Sequence, residues 1–121
     1  MKTILISEKE QIKGIISSCD ICFLGVNNKA EAPYVVPMNF GYDDGVFYLH
    51  SAPEGKLIDL INENNKVCLS FCTDTKLVAQ HPEVACSYRM KSQSVIAWGE
   101  VEFIEDIKEK ENILHIIMAQ Y

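Results

Sequence analysis

The sequence predicts a mainly β domain with flanking helices, in which about six strands form a mostly antiparallel sheet curled into a small barrel. Three observations predict it. Apolar, β-branched runs follow one another through hairpin-type turns rather than through regular helix crossovers, which favours antiparallel pairing. Helical periodicity is confined to a few segments. Finally, 121 residues hold one core, so residues 1–121 read as a single domain, and six strands in so short a chain must curl to bury their inner face.

The elements follow in order. Ser7 and Glu10 have capping-box spacing and open a helix with Ile12, Ile15, Ile16 and Cys19 at helical intervals. Residues Ile21 to Val26 read as a strand ended by Asn27-Asn28. The run Tyr34 to Phe40 and the run Val46 to His50 flank Asp43-Asp44-Gly45, the strongest hairpin signal in the chain. Pro37 lies inside the first run and cannot donate to a ladder, which makes that stretch an edge or an interruption. Leu57, Ile58, Leu60 and Ile61 return to helical spacing between Glu54 and Glu63, with Asn64-Asn65 as the stop. Strands are expected at Lys66 to Cys72, around Val84 to Met90, and at Ser94 to Ile104. A last helix is expected from Glu105 to Tyr121, with Ile107, Leu114, Ile117 and Tyr121 along one face and no Gly or Pro stop signal.

Composition narrows the function classes. With 11 basic and 17 acidic residues the net charge is −6, so no excess positive field draws nucleic acid or an anionic membrane. No apolar run of about 18 residues and no secretory signal pattern appears, which reads as a cytoplasmic protein without a membrane partner. Five cysteines, an odd number, read as reduced thiols rather than a disulfide framework.

Few residues carry chemistry on their own. Cys19-Asp20-Ile21-Cys22 has redox or half-zinc spacing, but no second pair completes a zinc site, and packing is the plainer reading. Cys68 and Cys72 share a strand face roughly 13 Å apart, too far for one metal. His50, His81 and His115 are scattered, so no metal site is expected. Nucleophile-elbow, P-loop and dinucleotide fingerprints are absent. The segment His50-Ser51-Ala52-Pro53-Glu54-Gly55-Lys56 runs from a strand end into a helix start. Backbone N–H groups there, with the Ser51 hydroxyl and the Lys56 charge, suit a phosphate, and ordinary helix capping is the alternative.

Several blocks, taken in order, resemble a known family. They are Tyr34-Val35-Val36-Pro37-Met38-Asn39-Phe40-Gly41-Tyr42, Gly45 to Ala52 with Gly55-Lys56, Asn65 to Cys68, and Ser94-Val95-Ile96 with Gly99. The chain resembles the 5-nitroimidazole-resistance (Nim) proteins of the pyridoxamine 5'-phosphate oxidase-like, FMN-binding split-barrel superfamily, from about Ser7 to Tyr121. Ser92 stands where that family more often carries a tyrosine. Members usually continue for some tens of residues after the last helix, so the chain is expected to be short at its C-terminus.

The resemblance implies a six-stranded split β-barrel forming a homodimer, with two FMN sites at the subunit interface. It implies that Ser51, Gly55, Lys56 and Ser94 hold the FMN phosphate, that the backbone of Pro37, Met38, Asn39 and Phe40 lies beside the flavin ring, and that His50 stands near the flavin. Its implied activity is reduction of a small organic acceptor such as a nitroaromatic by NAD(P)H through the flavin, with His50 as proton donor; an unperturbed imidazole titrates close to neutral pH. The alternative is a flavin- or haem-binding barrel without turnover, with His50 or His81 as candidate haem ligands.

Overall fold

The computed structural model describes residues 9–79 and 81–121, the side chains at positions 74–76, 78 and 89–91 excepted; the expected cap at Ser7 lies outside the described residues. Helix α1 spans Lys9–Ser17. Strand β1 (Cys22–Val26) is followed by β2 (Tyr34–Met38), β3 (Phe40–Asp43) and β4 (Val46–Leu49). Helix α2 (Lys56–Glu63), the long strands β5 (Lys66–Ala79) and β6 (Tyr88–Glu100), and helix α3 (Ile107–Ala119) complete the order.

These strands differ from those expected. The run Tyr34 to Phe40 is two elements, because Asn39 belongs to neither ladder. Residues 84–87 are not strand: the Ser87 hydroxyl, 2.7 Å from both the His81 and Val84 carbonyls, holds them in a turn ending in the short 3-10 helix Ala85–Ser87. The expected strands at 84–90 and 94–104 are therefore replaced by one strand, β6, starting at Tyr88.

All pairing is antiparallel. Four strands form one sheet in the order β2-β1-β5-β6, and β3 and β4 form a second. The single six-stranded sheet curled into a barrel that the sequence suggests is thus divided into two antiparallel sheets that do not close on each other. The break at Asn39 turns β3 away from the first sheet, and the hairpin closes only on itself through the Asp44-Gly45 turn, whose two positive φ angles (47° and 80°) match the right-handed strand twist. Side chains join what backbone bonds do not. Phe71 of β5, 0% exposed, meets the Phe40 ring edge-on at 5.0 Å and stacks on Phe47 at 5.2 Å. Leu24, Val26 and Leu69 extend this core beneath the first sheet, and Ile16, Leu60 and Ile61 cover it from the helices.

Pro37 takes the position expected of it, since β2 is an edge strand. Register divides the first sheet into two faces. Leu24, Val36, Leu69 and Ala97 lie opposite one another on the core side. The other face carries the rows Pro37-Phe23-Ser70-Ile96 and Val35-Gly25-Cys68-Trp98, and on it Phe23, Val35, Ile96 and Trp98 are exposed, Trp98 to 77%.

Helix α3 starts at Asp106, whose carboxylate accepts from the Lys108 and Glu109 amides at 2.8 and 3.4 Å. Of the four residues expected along its inner face only Ile117 is buried; Ile107 is 74% exposed, and Leu114 and Tyr121 are exposed as well. The helix docks near its C-terminal end, where Gly41 of β3 meets it backbone to backbone: a β-carbon on Gly41 would lie 2.8 Å from the Ile117 nitrogen. Backbone cannot yield as a side chain can. Gly41→Ala is therefore expected to cost about 1–3 kcal/mol, the range for forced overpacking, read as a lower midpoint in urea unfolding. An unchanged midpoint would contradict this packing.

No described helix is long and apolar enough to cross a membrane.

Candidate functional site

The chain leaves β4 at Leu49 and enters α2 after six residues, His50 to Gly55. Gly55 is the N-cap of α2, with φ 132° and ψ −177°, a conformation that glycine adopts without strain and other residues avoid. Having no side-chain oxygen, it leaves the first N–H groups of α2 without a side-chain cap. The helix start therefore presents free amide donors at the positive end of the helix dipole.

Lys56, the first helical residue, sits beside these donors. Its Nζ lies 5.5 Å from the centre of the Tyr34 ring and 3.5 Å from Glu31 Oε2. Glu31 is itself placed by the β1–β2 loop, with its amide donating to the Asn28 carbonyl at 3.2 Å and its Oε2 accepting from Asn28 Nδ2 at 3.4 Å. Both charged side chains are more than half exposed, so the pair contributes at most about 1 kcal/mol and is screened by salt. An incoming dianion can displace Glu31 at small cost. The Ser51 hydroxyl donates to the Ala52 carbonyl at 3.1 Å and is exposed.

Tyr34 begins β2, and Pro37 follows it three residues on, about 10 Å along an extended strand. The uncapped helix start with Lys56 and the corner Pro37-Met38-Asn39-Phe40 thus lie along the same edge strand. At that corner Pro37 and Asn39 are exposed, Met38 is half-buried and the Phe40 ring is wholly buried, so Phe40 offers a ligand its backbone only. Even that backbone is partly engaged: the Phe40 amide donates to the Tyr121 hydroxyl at 3.3 Å and Asn39 Nδ2 donates to it at 3.1 Å. Tyr121 and Glu31 are contributors that sequence reasoning missed, because nothing local to either residue signals its partner.

The remaining expected residues sit apart. His50 is exposed immediately beyond β4. Ser94 is exposed on β6, opposite Cys72, at the far edge of the four-stranded sheet from β2. One chain does not bring it to Lys56.

The cysteines pack. Cys19 and Cys22 are both buried, and burial pushes the Cys22 thiol up to about 11, with neighbouring Cys19 adding in the same direction and a backbone hydrogen bond opposing. A thiol so raised is a poor nucleophile at neutral pH. Because the folded value lies above that of an exposed thiol, Cys22 contributes stability fully below about pH 9 and loses it as the pH rises toward about 11. Urea unfolding at pH 7.5 and 10.5 is expected to show a fall in stability that is smaller in Cys22→Ala; an equal fall would contradict the assignment.

Comparison with known proteins agrees with this architecture. The family model for pyridoxamine 5'-phosphate oxidase matches residues 8–121. A crystal structure provisionally described as a 5-nitroimidazole antibiotic resistance protein, from Bacteroides thetaiotaomicron, is 50% identical and superposes with a TM-score of 0.87, covering 99% of this chain and 70% of that one. The flavocytochrome Anf3 from Azotobacter vinelandii (24% identity, TM-score 0.76, 93% of this chain and 51% of that one) shares the fold. So does the FAD and haem binding protein from Mycobacterium smegmatis (16%, TM-score 0.80, 95% and 54%). No curated protein sequence matches significantly. A family match over all but the first seven residues, together with a relative sharing half of its residues, means that the chain belongs to the pyridoxamine 5'-phosphate oxidase family.

Proposed function

We propose that the protein is an FMN-binding flavoprotein that uses NAD(P)H to reduce a small organic acceptor, a nitroaromatic of the 5-nitroimidazole type. The observation that carries the reading is the uncapped, Gly55-started helix with Lys56 at its head, set on the same edge strand as the exposed Pro37–Asn39 corner. About 10 Å of extended strand separates Tyr34, against whose ring Lys56 lies, from Pro37, on the scale of the ribityl chain between phosphate and ring. The residues present fit such a ligand: amide donors, an ammonium and the Ser51 hydroxyl suit a phosphate dianion, and the edge backbone at Pro37, Met38 and Asn39 suits the rim of a planar heterocycle.

FMN, when bound, supplies hydride acceptance from a reduced nicotinamide and electron delivery to the acceptor. The chain's own residues do the rest. Lys56, Ser51 and the α2 amides hold the phosphate, and the corner at 37–40 orients the ring. His50, exposed and adjacent to Ser51, is placed to donate a proton to the reduced acceptor. The exposed apolar face with Trp98, Ile96, Val35 and Phe23 is the surface that a second copy covers. Ser94, on that same sheet face, joins the phosphate site from the second copy. The resident cell compartment of this reading is the cytoplasm.

Titration with FMN and with riboflavin, which lacks the phosphate, tests it. FMN is expected to bind at least about tenfold more tightly, as a charge-assisted phosphate contact requires, sedimentation to give the two-chain mass, and His50→Ala to slow acceptor reduction. Equal affinity for the two flavins removes the phosphate site, a single-chain mass removes the shared site, and an unchanged rate in His50→Ala removes the proton donor.

A further inference from the structure

We infer that Tyr121 is a positioning residue for the flavin ring: its hydroxyl sets the Asn39–Phe40 corner beside which the ring lies, an inference that rests on the FMN reading above. The corner needs an outside support. Pairing with β1 ends at Met38 and pairing with β4 begins at Phe40, so Asn39 between them has no place in either ladder. The Tyr121 oxygen fills that role with all of its bonding capacity. It donates its one proton to the Asp20 carbonyl at 2.5 Å, and accepts from Asn39 Nδ2 at 3.1 Å and from the Phe40 amide at 3.3 Å.

Two further contacts fix where that hydroxyl stands. Gln120 Nε2 lies 3.2, 3.3 and 3.2 Å from the carbonyls of Ile16, Ser17 and Cys19, at and just past the end of α1. Gly41, one residue past the corner, allows α3 to close on β3 at Ile117, one turn before Tyr121. The backbone approach at Gly41 and the Gln120 anchor on the end of α1 therefore fix the end of α3 from two sides, and the Tyr121 hydroxyl alone carries that placement to the corner. The consequence for a ligand is a division of donors. The Phe40 amide is committed to Tyr121, and the Asn39 amide, held in neither ladder, is the one turned over to a ring edge. Releasing the hydroxyl frees the corner to shift, and with it the hydrogen-bonding environment that sets flavin electronics.

The test compares the wild-type protein with Tyr121→Phe, which keeps the ring and removes only the oxygen, and with Gln120→Ala, which loosens the helix end without touching the corner. Hydrogen exchange is read first without flavin. The Phe40 amide is expected to exchange at least about fivefold faster in Tyr121→Phe, the protection of one hydrogen bond, and to move the same way in Gln120→Ala should the first variant fail to fold. Absorption maximum and midpoint potential of bound FMN are then expected to shift in the variant, with FMN still retained through Lys56. Unchanged Phe40 exchange overturns the clasp whatever the flavin does. Faster exchange with an unshifted flavin spectrum and potential reduces Tyr121 to a structural brace and overturns the positioning role. A wild-type protein that takes up no FMN overturns the functional reading itself and the ring-positioning role with it, while the exchange result still decides the clasp.

Discussion

Replacing Phe71 with alanine is expected to cost about 3–5 kcal/mol, the range for deleting a buried aromatic ring, against a total of about 5–15 kcal/mol for a folded domain. The site explains the size of the effect. Phe71 is 0% exposed and lies on the four-stranded sheet, while both of its ring partners, Phe40 and Phe47, lie on the β3–β4 hairpin. The two sheets share no ladder, so this trio is the main seam between them. Losing its centre opens a cavity bounded by rings on two separate elements, and neither side collapses onto the other without moving the Asn39 corner. Urea unfolding reads the loss directly. A cost below about 1 kcal/mol would mean that the hairpin is held by something other than the aromatic seam.

Lys56→Ala is expected to weaken FMN binding by about 1.5–3 kcal/mol, roughly 10- to 150-fold, the worth of a hydrogen bond to a charged group. Riboflavin affinity is expected to stay where it is, because the lysine meets only the phosphate. The Glu31 carboxylate 3.5 Å away competes for the same ammonium, yet an exposed pair of this kind offsets only a fraction of the gain. Raising the salt is expected to narrow the difference between wild type and variant, since the contact is electrostatic and partly open to solvent. Isothermal titration at two salt concentrations checks both statements. Wild-type affinity for FMN in Lys56→Ala would assign the phosphate elsewhere.

What the sequence makes legible is what short-range chemistry decides. The Asp44-Gly45 turn is readable because two adjacent residues able to take positive φ suffice for it. Helix α2 and the edge position of Pro37 follow in the same way from spacing and from a missing N–H. The phosphate-type helix start is readable as a motif but ambiguous as a function, since Ser and Pro before a helix are ordinary caps. The break at Asn39 is not legible, for a single polar residue between Met38 and Phe40 leaves Tyr34 to Phe40 reading as one strand. Residues 84–87 mislead by apolar character, their turn being closed by the Ser87 hydroxyl six residues from His81. The face of α3 misleads for a related reason: periodicity selects Ile107, Leu114, Ile117 and Tyr121 together, but the close backbone approach to β3 falls at Ile117, against Gly41, and of the four Ile117 alone is buried. The Tyr121 hydroxyl meets Asn39 across 82 positions, a pairing that no local pattern encodes.

FMN binding by this chain is the step on which every other role of the site depends. The most direct test is the visible absorption spectrum of the purified protein after incubation with FMN and removal of free flavin by gel filtration. Two visible flavin bands travelling with the protein are the predicted result. A colourless protein fraction, or an intense Soret band from bound haem in their place, would contradict the claim.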